Sequence, residues 1–180
     1  MQIVPDTKDW TWVLDRVCEE CGYDARSVSR PDVPLRVRAN AADWLQVLAT
    51  PEVRRRPRPQ IWSPLEYGCH VRDVFRIFDQ RLQLMLEEPD PLFANWDQDE
   101  TALADRYWEQ DPVVVSHDLL EAADAIARRF AAVTDAQWDR TGRRSDGASF
   151  TVDSFARYFL HDPVHHLHDV RPGEAVDNPS

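Results

Sequence analysis

Hydrophobic residues recur at helical spacing in several separate stretches of the chain. Residues 34–51 hold one apolar stripe that stops before a proline, and its members are Val37, Ala41, Trp44 and Leu48. Residues 63–88 have the strongest start signal, because Ser63, Pro64 and Glu66 have the spacing of a capping box with proline at the first helical position. The apolar stripe that follows is broad: Leu65, Val71, Val74, Phe75, Phe78, Leu82 and Met85. Both stretches are predicted to be core helices.

Two more amphipathic stretches follow. Residues 116–133 repeat apolar side chains at Leu119, Ala123, Ile126, Phe130 and Val133, with Ser116 expected as the N-cap. Residues 150–170 form the last helical stretch. Since no stretch alternates convincingly like a strand, we expect an all-α protein, a four-helix bundle over residues 33–170. Residues 1–32 are expected to be an N-terminal extension packing on the bundle, and residues 171–180 a flexible tail.

Composition and charge exclude several classes of function. The chain has 180 residues, 43% of them hydrophobic, which is enough for one substantial core. Its net charge of −11 would repel nucleic acid, so we expect no nucleic-acid partner. We also expect no membrane partner, because no apolar run approaches the roughly 20 residues that span a bilayer. The start of the chain lacks the features of a secretory signal, which predicts a cytoplasmic protein.

The histidines are concentrated in one segment, "HDPVHHLHDV" (161–170), which holds four of the six in the chain. On a helix His161, His165 and His168 share one face, and two such imidazoles can bind one metal ion. His70, inside the second predicted helix, is the candidate third ligand. Three protein ligands with open positions are typical of a catalytic metal site. The alternative is a histidine-rich helix end that stabilises the helix dipole, but it does not explain His70.

Pro163 lies between the two paired histidines. A proline inside a helix removes one hydrogen bond and clashes with the carbonyl four residues earlier, here that of Phe159. The helix is therefore predicted to kink at Pro163. Alternatively, one helix ends near His161 and a second starts with Asp162 as N-cap and Pro163 at its first position.

The cysteines allow more than one interpretation. Cys18 and Cys21 have the spacing of half a zinc knuckle or of a redox pair, but no second pair of that kind lies close by in the sequence. We therefore expect these thiols to pack the extension onto the bundle. Cys69 adjoins His70 but points about 100° away from it around the helix, so it is predicted to be a small buried hydrophobe.

Two motifs carry a resemblance to a known family. The segment Trp62–His70 reads W-S-P-L-E-x-x-x-H and the segment His161–His166 reads H-D-x-x-H-H. Together with the helix pattern over residues 33–170, these motifs resemble the DinB superfamily, metal-binding four-helix bundles related to bacillithiol and mycothiol S-transferases and to mycothiol-dependent maleylpyruvate isomerase. The resemblance implies that His70, His161 and His165 hold a divalent metal, zinc or nickel. The chain departs from the family in Pro163, between the last two of these ligands.

The resemblance also implies a function. We expect a metal-dependent S-transferase or related detoxifying enzyme, with a low-molecular-weight thiol as co-substrate and a small-molecule electrophile as its partner. The alternatives are a non-catalytic metal-binding stress-response module and a metal-dependent hydrolase. Asp162, Asp73 and Asp169 are the nearest candidates to orient the ligating rings.

The tryptophans bear on assembly. The chain has seven, several of them outside the helices, and exposed aromatic residues usually mark an interface. We expect a homodimer, with a monomer whose extension covers the bundle as the alternative.

Overall fold

The computed structural model describes Ile3 and residues 9–171 of the chain. Within that range the fold is mostly helical, as predicted, with a two-stranded hairpin before the last helix. No helix in the described range has the length and apolar character needed to cross a membrane. The elements are α1 (Asp32–Leu48), α2 (Pro64–Glu87), α3 (Gln98–Ala104), α4 (Pro112–Ala131), β1 (Thr141–Arg143), β2 (Ser149–Thr151) and α5 (Val152–Val170).

The four long helices form a bundle in which chain neighbours are not always spatial neighbours. Helices α4 and α5 each pack against both α1 and α2, whereas α1 and α2 contact each other far less. The order around the bundle is therefore α1, α4, α2, α5, and the long connector after α1 crosses one end of it. Large aromatic side chains fill the centre, among them Trp44, Phe75, Phe130, Phe155 and Phe159. In this arrangement α2 and α5, which carry the candidate ligands, lie side by side.

The start of α2 has the predicted capping box. The backbone N–H of Glu66 donates to the hydroxyl of Ser63 at 3.3 Å, and the N–H of Ser63 donates to the carboxylate of Glu66 at 2.8 Å. Arg56 pairs with the same carboxylate from the preceding connector. This fixed start sets the rotation of α2 and turns His70, one turn further on, toward α5.

The predicted start of α4 was wrong by about one turn. The helix begins at Pro112, and the side chain of Asp111 accepts from the backbone N–H groups of Val113 and Val114. Ser116 lies inside the helix, where its hydroxyl donates back to the carbonyl of Pro112 at 2.7 Å. An Asp-Pro pair is as good a start signal as a serine, and the earlier one prevails because it lengthens the packed helix.

Helix α5 runs through Pro163 without a break, so the alternative of two separate helices was wrong. The Pro163 carbonyl accepts from the side-chain amide of Asn40 at 2.9 Å and from the indole N–H of Trp44 at 3.4 Å. These contacts from α1 hold the helix across a position that lacks an N–H, at a site where the proline ring is itself buried. Packing against α1 thus overrides the local preference of proline.

Helix α3 and the two strands of the hairpin were not predicted. Helix α3 lies in the connector after α2, and β1 pairs with β2 in the antiparallel register Gly142↔Phe150 around a turn that contains Gly147 at φ +96°. Strands of three residues are too short to show an alternating pattern. The hairpin leads directly into α5, whose first turn is capped by Thr151.

The N-terminal segment, residues 9–31, lies along α5. Two short 3₁₀ turns, Thr11–Leu14 and Ala25–Ser27, shape it, and the hydroxyl of Tyr23 donates to the carbonyl of Arg157 at 2.6 Å. Cys18 of this segment is fully buried, with its sulfur 3.7 Å from Nδ1 of His165 on α5. The segment therefore contributes side chains to the histidine-bearing face of α5. The predicted flexible tail falls, from residue 172 onward, outside the described residues.

Candidate metal centre

A first cluster of metal-binding groups forms where α2 crosses α5. It consists of His70, Asp162 and His166, which can each offer one ligand atom within 4.8 Å of the others. His70 Nε2 lies 3.3 Å from Asp162 Oδ1, and His166 Nε2 lies 3.9 Å from the same oxygen. The two imidazole rings meet edge to face with their centroids 4.9 Å apart. The three ligand atoms are close enough together for one cation to contact all of them.

The hydrogen-bonding state of this cluster tests whether a cation fits it. Both ring nitrogens of His70 and Oδ1 of Asp162 are buried, and they have no hydrogen-bond partner among the described residues. Leaving a buried polar atom unpaired costs about 1–3 kcal/mol. A cation placed between these atoms would satisfy the inward-facing lone pairs at once. The donor set, two imidazoles and a carboxylate, is one that divalent metals accept.

Neighbouring side chains orient His166 and keep Asp162 charged. His166 Nδ1 and Asp169 Oδ2 are 2.9 Å apart, a hydrogen bond that directs His166 Nε2 toward Asp162. Burial raises the pKa of Asp162, but the imidazoles of His70 and His166 outweigh it and lower that pKa to about 2. Asp162 is therefore an anion at neutral pH, as a metal ligand must be.

Aromatic rings surround the cluster on the side of α2. Trp96 stacks on His70 with the ring planes 6° apart, and Trp62 lies 5.4 Å from His70 between ring centroids. Tyr67 lies 5.0 Å from His166. Beyond these rings a pocket of about 560 Å³ opens to solvent, lined by Ile3, Arg58, Gln60, Ile61, Trp62, Tyr67, Gln98, Asp99 and His166. Small-molecule sites commonly have this volume, and His166 connects the pocket to the cluster.

A second cluster lies on the adjacent face of α5. Cys18, Cys21, His161 and His165 can offer ligand atoms that all lie within 4.8 Å of one another. Both histidines are buried, and burial is the main cause that lowers their pKa, that of His161 to about 4. Both rings are therefore neutral at physiological pH and can act as ligands. The indole of Trp10 covers them, with ring centroids 5.1 Å from His161 and 4.9 Å from His165.

Comparison with known proteins places the fold. The sequence model of the DinB superfamily matches residues 35–170, about three quarters of the chain. The chain belongs to the DinB superfamily. No curated protein matches it. A similar solved structure is that of YfiT from Bacillus subtilis, described as a probable metal-dependent hydrolase with an unusual four-helix bundle topology; it is 19% identical, with a TM-score of 0.70 and coverage of 79% of this chain and 86% of that one. At that identity the likeness shows the fold alone.

The structure distributes the predicted DinB ligands over both clusters. His70 lies with Asp162 and His166, whereas His161 and His165 lie with the two cysteines, and no group of described residues brings His70, His161 and His165 within 4.8 Å of one another. That these three share one ion stays a prediction, which metal analysis of variants can test. His168, the other member of the predicted face, is exposed.

Sequence reasoning passed over two members of the first cluster. Asp162 was expected only to orient a ring or to cap a second helix, and His166 was not among the histidines of the predicted ligand face. The available signal was their spacing of four, the same as that of His161 and His165, which places them on the neighbouring face of the helix. Of the other acids, Asp169 does orient a histidine. Asp73 does not, because it accepts hydrogen bonds from Arg72 and from Tyr107 instead.

Proposed function

We propose that this DinB protein is a metal-dependent enzyme that transfers a low-molecular-weight thiol to a small electrophile. The observation that carries the proposal is the buried His70, whose Nε2 lacks a hydrogen-bond partner among the described residues and lies 3.3 Å from Asp162, in the same cluster as His166 of the pocket. His70, Asp162 and His166 would hold a divalent ion, zinc or nickel, through three protein ligands. When bound, such an ion supplies Lewis acidity and lowers the pKa of a thiol or water in its open position.

The residues of the chain have separate roles in this scheme. Asp169 keeps a proton on His166 Nδ1, so that Nε2 presents its lone pair toward Asp162. Asp162 adds a negative charge to the donor set, and it joins α5 to His70 on α2. The rings of Trp62 and Trp96 exclude water from one side of His70, which strengthens every electrostatic interaction there.

The pocket supports a substrate with both polar and apolar parts. Arg58, Gln60, Gln98 and Asp99 offer donors and acceptors, whereas Ile61, Trp62 and Tyr67 offer apolar surface. A hydroxyl-rich thiol would bind the polar wall and place its sulfur near His166. In the reaction the thiol gives its proton to solvent water, its sulfur bonds to the electrophilic carbon, and the bond from that carbon to the leaving group breaks as the leaving group departs with the bonding pair.

A turnover screen tests this function. Metal-loaded protein is assayed with monochlorobimane as the electrophile and with one thiol at a time, which is mycothiol, bacillithiol or glutathione. Thermal shifts are recorded with each thiol. We expect one thiol to raise the midpoint of unfolding and to give product. His166→Gln, which keeps a polar side chain of similar length, should lower kcat/KM by about 100-fold or more, whereas His168→Gln on the exposed side of α5 should not. Metal-loaded protein that gives no product with any thiol would favour a non-catalytic module.

Hydrolysis is the second candidate. Two histidines and one carboxylate are the ligand type of several zinc hydrolases, and YfiT is described as a probable metal-dependent hydrolase. The same preparation assayed with ester and amide substrates in the absence of thiol separates the two functions. Thiol-independent product that His166→Gln abolishes would replace the transferase by a hydrolase.

A further inference from the structure

We infer that Cys18, Cys21, His161 and His165 form a closed tetrahedral zinc site that joins the N-terminal segment to α5. This site is separate from the centre proposed above and uses none of its three residues. Two thiolates and two imidazoles are the donor set of structural zinc. The cysteines come from residues 18–21 and the histidines from α5, so that one ion would bind two parts of the chain that are 140 positions apart in sequence.

The distances fit tetrahedral coordination. With Zn–S of about 2.3 Å and Zn–N of about 2.0–2.1 Å, a tetrahedral ion sets its sulfur and nitrogen ligands about 3.6 Å apart. Cys18 Sγ and His165 Nδ1 are 3.7 Å apart. The four side chains offer ligand atoms that lie within 4.8 Å of one another. Only small side-chain adjustments are needed to reach full coordination.

A buried histidine nitrogen without a hydrogen-bond partner indicates that this cluster can bind a metal ion. His161 is 4% exposed, and its Nε2 is buried without a hydrogen-bond partner in the described part of the chain. His165 presents Nδ1 to Cys18, while its Nε2 lies 3.5 Å from a Glu20 oxygen and 3.8 Å from one of Asp169. A carboxylate behind the far nitrogen is the usual way in which proteins orient a metal-binding histidine.

The backbone around the cysteines has the form of a metal-binding knuckle. The N–H of Gly22 donates to the carbonyl of Cys18, and the N–H of Cys18 donates to the carbonyl of Tyr23, both at 2.8 Å. Gly22 has a φ of +73°, a conformation that glycine adopts without the steric cost of a side chain. This tight turn directs both thiols to the same side, toward α5. A pair of cysteines that served only as packing would not need such a turn.

The site has a structural rather than a reactive character. All four coordination positions are supplied by the chain, so none is left for substrate. Trp10 covers both histidine rings, and Cys18, His161 and His165 are buried. Binding would fix residues 9–31 against α5. The zinc ion would also occupy His161 and His165 as ligands. The cluster of His70, Asp162 and His166 would then be the metal centre with coordination positions open to substrate.

Cobalt substitution tests the inference directly, because only this site contains thiolates. Zinc-depleted, reduced protein is titrated with Co²⁺. We expect an intense visible spectrum typical of tetrahedral Co²⁺, with a near-ultraviolet thiolate-to-cobalt charge-transfer band that saturates at about one ion per chain. Cys18→Ser combined with Cys21→Ser should abolish that band. The matched control Cys69→Ser, which removes a buried thiol outside both clusters, should retain it, as should His166→Ala.

A measurement on folded protein covers the case in which the double cysteine variant does not fold. In a Cys69→Ser background the only remaining thiols are Cys18 and Cys21. With zinc bound, both should be protected from a thiol reagent, and a chelator should make both reactive. Equal reactivity with and without zinc, or cobalt-loaded protein with no charge-transfer band, would overturn the inference. Neither readout depends on turnover, so the proposed enzyme and this zinc site can fail independently.

Discussion

His161, Asp162, His165 and His166 are close together in sequence but divide between two metal-binding clusters. Each residue turns about 100° around a helix, so the pair 161 and 165 and the pair 162 and 166 occupy adjacent faces of α5. The sequence predicts that His161 and His165 can bind one metal ion, and the same spacing holds for Asp162 and His166. It does not determine which face meets α2, because the rotation of α5 depends on contacts such as those of Asn40 and Trp44 with Pro163.

Metal content should distinguish the neighbours His166 and His168. His166 contacts Asp162 and Asp169, whereas His168 is exposed. We expect His166→Ala to lower the bound divalent metal from about two ions per chain to about one, and His168→Ala to leave it unchanged. Elemental analysis after dialysis against a weak chelator measures this. If His161→Ala removed the ion that His70→Ala removes, the ligand set predicted from the sequence would be correct instead.

Asp73 makes a contribution to the stability of the fold that depends on pH. Its burial raises the pKa of the carboxyl, but the hydrogen bond and charge of Arg72 reverse the effect, and Tyr107 adds a hydrogen bond of 2.5 Å. Because the net pKa in the folded protein is lowered, the stabilisation is present above the unfolded pKa of about 3.9 and is lost as pH falls through the folded value. Asp73 therefore stabilises the fold at neutral pH and not in acid.

Urea unfolding checks this at neutral and acidic pH. Asp73→Asn should lower the free energy of unfolding at pH 7 by about 3 kcal/mol, because it leaves the buried guanidinium of Arg72 without its charge partner. The difference from wild type should shrink as the pH falls below about 4. The control Asp139→Asn, at a side chain that is 84% exposed, should match wild type throughout. If the difference in free energy of unfolding between Asp73→Asn and wild type stayed constant with pH, the charge of Asp73 would not be the cause of the stabilisation.

At the scale of elements, start signals were predictable where a single one was available. The Ser63, Pro64 and Glu66 pattern gave the start of α2 correctly, because its partners lie within one turn of chain. For α4 two signals competed, and the choice between Asp111 and Ser116 depends on how much apolar surface the longer helix buries. The hairpin β1–β2 depends on contacts with residues far away in sequence, such as Gly142 against Phe93, so local pattern could not predict it.

Two serine substitutions test the helix starts. Ser63→Ala removes the side chain that caps α2 and leaves a buried N–H unpaired, so we expect a loss of about 1–2 kcal/mol in the free energy of unfolding. Ser116→Ala, which removes only a bond back to the carbonyl of Pro112, should stay within about 0.5 kcal/mol of wild type. Both values come from chemical unfolding monitored by circular dichroism. A larger loss in the free energy of unfolding for Ser116→Ala would indicate that Ser116 is the N-cap of α4 after all.

At the scale of the whole molecule, the sequence predicted the helical class but not the order of the helices around the bundle. Amphipathic stripes show that a helix has an inner face, and they do not show which neighbour covers it. The N-terminal segment is a similar case. Its cysteines could be recognised as half a metal site, but the other half lies on α5, and only the folded arrangement brings Cys18 to His165.

Oligomeric state is the remaining prediction at this scale. The tryptophans that suggested a homodimer are partly explained within one chain, since Trp10 and Trp12 both pack against the core and Trp10 covers two histidines. Other apolar side chains are exposed, however, and several fall between α3 and the first half of α4: Leu103, Trp108, Val113, Val114 and Leu120. Burying these against a second copy would remove apolar surface from water, so the dimer stays our prediction, with the segment 103–120 in its interface.

Light scattering at micromolar concentration measures the mass directly. A dimer gives twice the chain mass of 20.9 kDa. Val113→Asp, at a side chain that is 78% exposed, should dissociate it without unfolding the chain, because a charge placed in an apolar interface loses its hydration on association. The matched control Val17→Asp, in the N-terminal segment, should leave the mass unchanged. A wild-type mass of one chain would show instead that the aromatic residues of the N-terminal segment serve only to cover the protein's own bundle.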